Sequence, residues 1–221
     1  MGKEREEIRG LMESLVAMAD EVGVMLSSAM EAFGKNPSRT VEELTEKDKT
    51  IDRMENLHDS RCLRILALYQ PEADDLRTVF MALKINNDLE RIGDHSLNIA
   101  ERAENLSKPL LPTLRDPLDK MAILTRGMLS DAVTAFVARD SALAKSIITR
   151  DDEADDYLRA TIQDVLLHEG RDEPFLETAI AVVLAAKELE RIADLCTNIA
   201  EDVVFMAEGV IVKHSGETLG P

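Results

Sequence analysis

The 221-residue chain has no tryptophan, and phenylalanine and tyrosine together bring aromatics to only 3%. Sheet-based cores draw on aromatic and β-branched side chains. Their scarcity turns the fold away from sandwiches and barrels and toward an all-α protein built from Leu, Ala, Met and Glu. Two cysteines, Cys62 and Cys196, are too few for a disulfide framework and sit in unrelated helical contexts, so reduced, buried thiols are expected. No run approaches the roughly 18 consecutive apolar residues of a membrane span. The charged start, MGKEREEIRG, lacks the apolar centre of a signal peptide. A cytoplasmic address is expected on both grounds. Also missing are a P-loop, a GxGxxG turn, a CxxC pair and a nucleophile elbow, so the sequence carries no recognisable catalytic motif, and a non-enzymatic protein is expected.

Basic residues are the remaining shortage. Lys and Arg number 26 against 43 Asp and Glu, a net charge of −17. Such a surface repels phosphate backbones and anionic lipid, which argues against direct contact with nucleic acid or membrane. It suits a cation-binding protein or one that docks on a basic partner.

What is present is helical periodicity along nearly the whole chain. The spacing predicts six helices, over 4–33, 39–69, 74–107, 116–139, 141–168 and 173–208. The breaks are GKNPS (34–38), QPEADD (70–75), SKPLLPTLRDP (107–117) and EGRDEP (169–174), and Gly209 ends the last helix. The proline-rich third break divides the chain into residues 1–108 and 116–210, with 211–221 expected as a flexible tail.

The two halves repeat one another. LERIGDHSLNIAE (89–101) and LERIADLCTNIAE (189–201) are identical at nine of thirteen positions, and MLSSAMEAF (25–33) matches MLSDAVTAF (128–136). Three long helices per half, joined by short connections, pack as antiparallel bundles. The expected architecture is therefore two tandem three-helix bundles related by internal duplication.

The retained residues are not only apolar. At about 100° per residue, Glu90, Asp94, Asn98 and Glu101 fall in one sector of the third helix, away from Leu89, Ile92, Ser96 and Ile99. Glu190, Asp194, Asn198 and Glu201 repeat this on the sixth. Asp48 and Asp52 form an i, i+4 pair on the second helix, and Asp151 and Asp155 form its counterpart on the fifth. Neighbouring helices could bring such pairs together. Crowded carboxylates with no lysine in their stripe repel one another unless a cation sits among them. Oxygen donors favour iron(III), manganese, magnesium or calcium over copper or zinc. One such pair on one helix would simply be a solvated face; two copies in register are a stronger signal. Arg91 and Arg191 are also repeated and are expected to pair with acids across the bundle, with contact to a bound oxyanion or a partner as the alternative, while Asn98 and Asn198 either bond the cluster or cross-link helices.

The histidines are not repeated. Glu55 and His58 spell ExxH, a feature of di-iron carboxylate bundles, but the counterparts are Leu158 and Thr161. An oxidase of that kind needs two such motifs. His58 is expected to be a half-buried packing residue, and His95, which aligns with Leu195, a surface or boundary one.

QPEADDLR (70–77), LKINNDLERIGDHSLNIAE (83–101) and LERIADLCTNIAEDVVFMAEG (189–209) resemble the PhoU family over nearly the whole chain. The resemblance implies a pair of three-helix bundles acting as a cytoplasmic regulator of phosphate uptake. It implies restraint of the phosphate-specific ABC transporter and of the sensor histidine kinase that activates phosphate-starvation genes. The partners would be the transporter ATPase and that kinase, the membrane would be reached only through them, and a homodimer stays open. The family's E(D)xxxD pairs imply multinuclear metal clusters, iron first, with manganese, magnesium or zinc as alternatives. Carried over by position, the ligands are Asp48, Asp52, Glu90 and Asp94 in one half and Asp151, Asp155, Glu190 and Asp194 in the other. The departures (Ala193 for Gly93, Leu195 where the family has a small residue, Ala154 for Ile51) touch the shape of the second site and leave its ligands in place.

Overall fold

The computed structural model describes residues 2–33, 37–104, 106, 110, 112–168, 172–209, 211–213 and 217–219. Among these, α1 spans Gly2–Ala32, α2 Pro37–Tyr69, α3 Ala73–Glu104, α4 Pro112–Ala138, α5 Ser141–Ile148, α6 Asp151–Leu167 and α7 Glu173–Glu208. Helices α1, α2 and α3 pack on one another as the first bundle, and α4 to α7 form the second.

The expected fifth helix is in fact two, α5 and α6, with a break at Thr149–Arg150. The physical reason is local. Ile147, Ile148 and Thr149 are a β-branched run that crowds the preceding helical turn, where the first half has Leu44, Thr45 and Glu46. Asp151, Asp152 and Glu153 then fall in a first turn, where the helix dipole favours negative charge. Asp151 and Asp155 consequently start a new helix instead of lying in the middle of one. Beyond α7, Ile211–Lys213 pairs antiparallel with Glu217–Leu219.

Helix ends follow the side chains. Asp140 accepts hydrogen bonds from the Ala142 and Leu143 amides to open α5, and Asp172 accepts one from Phe175 to open α7. Gly209 closes α7 at φ 70°, a left-handed geometry that glycine adopts without penalty. Helix α4 begins at Pro112, inside the proline-rich break, and keeps Pro117 within its first turns. By length and composition α4 could cross a membrane, with a mean hydropathy of 1.3 over its best window. However, 44% of that window is buried, and α4 packs against α1, α6 and α7.

One apolar core runs through both bundles, from Leu11, Leu15 and Met18 on α1 to Leu189, Ile192 and Ile199 on α7. The bundles meet where α3 packs on α7 and α1 on α4. Lys84 bonds Asp202, and His95 bonds Glu188. Numbers rise on one helix as they fall on the other, so α3 and α7 run antiparallel. This is the arrangement expected when a duplicated unit pairs with its copy about a pseudo-twofold axis. Gly93 lies against Ile51, with room for a Cβ 3.6 Å from the Ile51 Cγ2. The repeat exchanges both partners, placing Ala193 and Ala154 there, and both are buried. The departure from the first half is thus a compensated volume swap. Cys62 and Cys196 are free and buried, as expected.

Candidate functional site

The α2–α3 face of the first bundle gathers carboxylates. Glu90 is half-buried, and its carboxyl is pushed up to about 7, first by burial and then by the charges of Asp94, Glu55, Asp52 and Asp48. Asp48 is raised to about 6 by burial, by Asp94 and Asp52, by a hydrogen bond with Asp94 and by Glu101. The structure therefore brings together the four acids expected from the sequence. It adds Glu55, while Glu101, expected in the same helix sector, stands close enough that its charge raises Asp48. Glu55 follows Asp52 by three residues and so shares its helix face, a spacing from which it could have been found. Its Oε1 accepts a long hydrogen bond, 3.4 Å, from the Asn87 amide.

In the second bundle the counterpart is α6 against α7. Glu190 is raised by burial and by Asp194 and Asp155, offset in part by Arg191, with Asp151 adding to the rise. This stripe is less purely acidic. Arg159 pairs with Asp155 at 3.3 Å and with Asp156 at 2.5 Å, and Thr197 donates to Asp151 at 3.2 Å. The duplication has kept the eight acids, and in the second set arginines pair with Asp155 and offset Glu190.

The donor chemistry of both stripes fits a hard cation: oxygens only, alike in charge, and held at a cost that a cation would relieve. Among the described residues, however, no three His, Cys, Asp or Glu side chains converge on one point as they stand. Asp48, Asp52, Glu90 and Asp94 are the residues that could hold a cation in the first half, and Asp151, Asp155, Glu190 and Asp194 in the second. Asn98 and Asn198 stand half-buried beside these stripes.

Histidine 58 takes no part. It is 1% exposed, and both of its ring nitrogens are engaged, with Ser14 Oγ at 2.6 Å and with Asn86 Oδ1 at 2.8 Å. The ExxH spelling at Glu55–His58 is therefore a packing arrangement, as expected. His95 takes the boundary position expected: half-buried at the seam between bundles, it bonds Glu188 at 2.7 Å. One expectation needs correction. Arg91 and Arg191 do not reach across the bundle. They pair within their own helices, with Asp88 at 3.8 Å and Glu188 at 3.4 Å, at the i, i+3 spacing that sets residues side by side on a helix face.

Comparison with known proteins gives a consistent result. The PhoU domain family matches residues 15–103 and again residues 118–203. A phosphate-specific transport system accessory protein PhoU homolog of Aquifex aeolicus (strain VF5) is 37% identical over 214 residues, covering 96% of this chain and 95% of that protein. A homolog of the same description from Pseudomonas putida is 33% identical, covering 96% and 82%. Among solved structures, the phosphate transport system regulatory protein PhoU from Streptococcus pneumoniae superposes with a TM-score of 0.87 at 28% identity, covering 95% of this chain and 99% of that one. PhoU from Pseudomonas aeruginosa gives 0.84 at 29% identity, covering 93% and 99%.

Proposed function

This chain belongs to the PhoU family, and from that premise we propose that it is an accessory regulator of a phosphate-specific transport system, one that restrains uptake when phosphate is plentiful. The observation that carries the proposal is the end-to-end match, through both repeats, to proteins described as phosphate-transport accessory or regulatory proteins. In this role the chain acts as a non-enzymatic adaptor. It holds the transporter ATPase and the phosphate-responsive sensor kinase through protein contacts, and meets the membrane only through them. A net charge of −17 makes a basic partner surface the complementary one.

The two carboxylate stripes are the proposed cation sites, one per bundle, with iron the first candidate. A cation there would lower the mutual repulsion of Asp48, Glu90 and Asp94 and clamp α2 to α3, and likewise α6 to α7. The role is thus structural and regulatory.

Direct association tests the adaptor role. The purified full chain is expected to be retained by the transporter ATPase and by the cytoplasmic part of the sensor kinase from the same organism. Retention should weaken at high salt, as charge-steered contacts do. Absence of binding to both partners would count against the proposal.

A further inference from the structure

An open pocket of about 480 Å³ lies between α1 and α2 on the first bundle, lined in part by Glu7, Ser14, His58, Arg61 and Arg64. It shares no residue with the eight stripe acids. Two guanidiniums here share one carboxylate: Arg61 and Arg64 both reach the same oxygen of Glu7, at 3.3 and 2.8 Å. The pocket lining thus carries two guanidiniums against one carboxylate in a chain of −17, with Asp59 beneath His58 offsetting part of that charge. The Arg61 Nε is buried without a hydrogen-bond partner. The guanidinium lies over Gly10, where a Cβ would sit 2.5 Å from Nη2. A glycine inside a helix costs about 1 kcal/mol relative to alanine, and here it leaves the slot that admits Arg61.

The floor of the pocket adds a polarity that can be worked out atom by atom. The Asn86 amide nitrogen donates to the Glu55 carbonyl at 3.0 Å and to Asp59 at 2.9 Å. That fixes its Oδ1 as the acceptor facing His58. The ring's Nδ1 must then carry the proton and donate to Asn86. Nε2 of the neutral ring is left as an acceptor, and Ser14 donates its hydroxyl proton to it. With that proton committed, Ser14 Oγ can offer the pocket only lone pairs. The site thus combines two cationic donors with an obligatory acceptor.

We propose that this pocket binds a protonated phosphate group, either inorganic phosphate or the phosphate of a small monoester. Arg61 and Arg64 hold the anionic oxygens, and Ser14 Oγ accepts from the P–OH. Planar guanidiniums suit phosphate oxygens. The acceptor discriminates against sulfate, which has no proton to give at neutral pH and would leave Ser14 facing a like dipole. The duplication does not explain the site: at the repeat's offset, His58, Arg61 and Arg64 correspond to Thr161, Asp164 and Leu167. The choice of phosphate leans on the transport role proposed above, whereas the anion pocket itself stands on these residues alone.

The test is calorimetric titration of the chelator-treated full chain with inorganic phosphate, glycerol phosphate and sulfate at neutral pH. Chelation removes phosphate binding through cations at the stripes. At least one of the two phosphates is expected to bind, and the tighter of them identifies the source. Sulfate is expected to bind at least about tenfold more weakly, the scale of one charge-assisted hydrogen bond. Arg64→Gln, at a half-exposed position, should weaken phosphate by about tenfold, and Ser14→Ala should bring phosphate and sulfate together. Binding of neither phosphate, equal binding of sulfate to the unmodified chain, or unchanged affinity in Arg64→Gln would each overturn the proposal. Should Arg64→Gln fail to fold, the phosphate–sulfate comparison on the unmodified chain decides. None of these readouts involves the transporter, so failure here leaves the regulatory role standing, and failure of that role leaves the anion pocket, whose ligand the same titrations decide.

Discussion

Lys84→Ala is expected to destabilise the protein by about 2–3 kcal/mol, lowering the melting temperature by roughly 5–10 °C. Lys84 on α3 is the cation that reaches Asp202 on α7 across the seam between bundles. Asp202 is 7% exposed, and its second oxygen is buried without a partner. Asp88 lies close enough that the charge of Asp202, after burial, helps push its carboxyl up to about 6. Removing the lysine therefore leaves Asp202 enclosed without its cation and facing Asp88, which keeps only a 3.8 Å contact with Arg91. The expected cost sits toward the low end for breaking an enclosed pair, because Lys84 itself is half in solvent. The sign with pH follows. Burial raises the Asp202 carboxyl while Lys84 lowers it, so without Lys84 its folded pKa rises further. The variant then loses stability as pH climbs through that pKa and recovers part of it in acid. Lys84→Met combined with Asp202→Leu should restore most of the loss, since an apolar pair of similar volume carries no desolvation penalty. Thermal melts of the single and double variants at two pH values check this. Equal melting of Lys84→Ala and the unmodified chain would place the bundle–bundle stability elsewhere.

The second large effect concerns the carboxylate stripes. In chelator-treated protein the Glu90 carboxyl at about 7 and Asp48 at about 6 lie above their unfolded values. Over that window the native state binds more protons than the unfolded chain. Stability accordingly falls as pH rises from about 5 to about 7. A cation that neutralises the stripe should reverse the loss. At one hundred times its Kd, linkage supplies about 2.7 kcal/mol, or roughly 5–10 °C for a chain of this size. Glu90→Gln with Asp94→Asn should flatten the pH slope and remove about half of the bound metal measured by elemental analysis, since each bundle carries its own set of four acids. The corresponding pair on α7, Glu190→Gln with Asp194→Asn, should leave the pH slope largely intact, because Arg159 and Arg191 already moderate that stripe. A thermal shift on adding iron(II) or manganese that is identical in all variants would mean that the cation binds elsewhere.

The helices and the candidate stripes were legible in the sequence for a common reason. Apolar residues recur at helical spacing, and the repeat shows which polar positions travel with them. The break at Thr149–Arg150 was not legible from periodicity, because the apolar positions of α5 and α6 continue in one phase across it. Its cause is the β-branched run Ile147–Thr149, a matter of side-chain crowding. The seam was missed because the repeat itself conceals it. Lys84 corresponds to Leu184 and Asp202 to Arg102, so a comparison of halves sees only mismatches where the structure has an ion pair. Asp88 and Glu188 did leave a signal. Both are acids at one position of the repeat, directly before the buried Leu89 and Leu189. The anion pocket left none, since Glu7, Ser14 and Arg61 come from two helices whose relative rotation only the packed structure supplies.

The measurement that bears most directly on the regulatory role is repression of phosphate-starvation genes in a living cell. The chain would be expressed in its native host, or in a bacterium with the same transport system, after deletion of the resident regulator. Alkaline phosphatase activity would then be followed in phosphate-rich medium. A phosphate-transport regulator of the PhoU family is expected to restore repression, and to do so less completely when the Glu90 and Asp94 stripe is neutralised. Continued full expression of the phosphatase in the native host, with the protein folded and abundant, would contradict it.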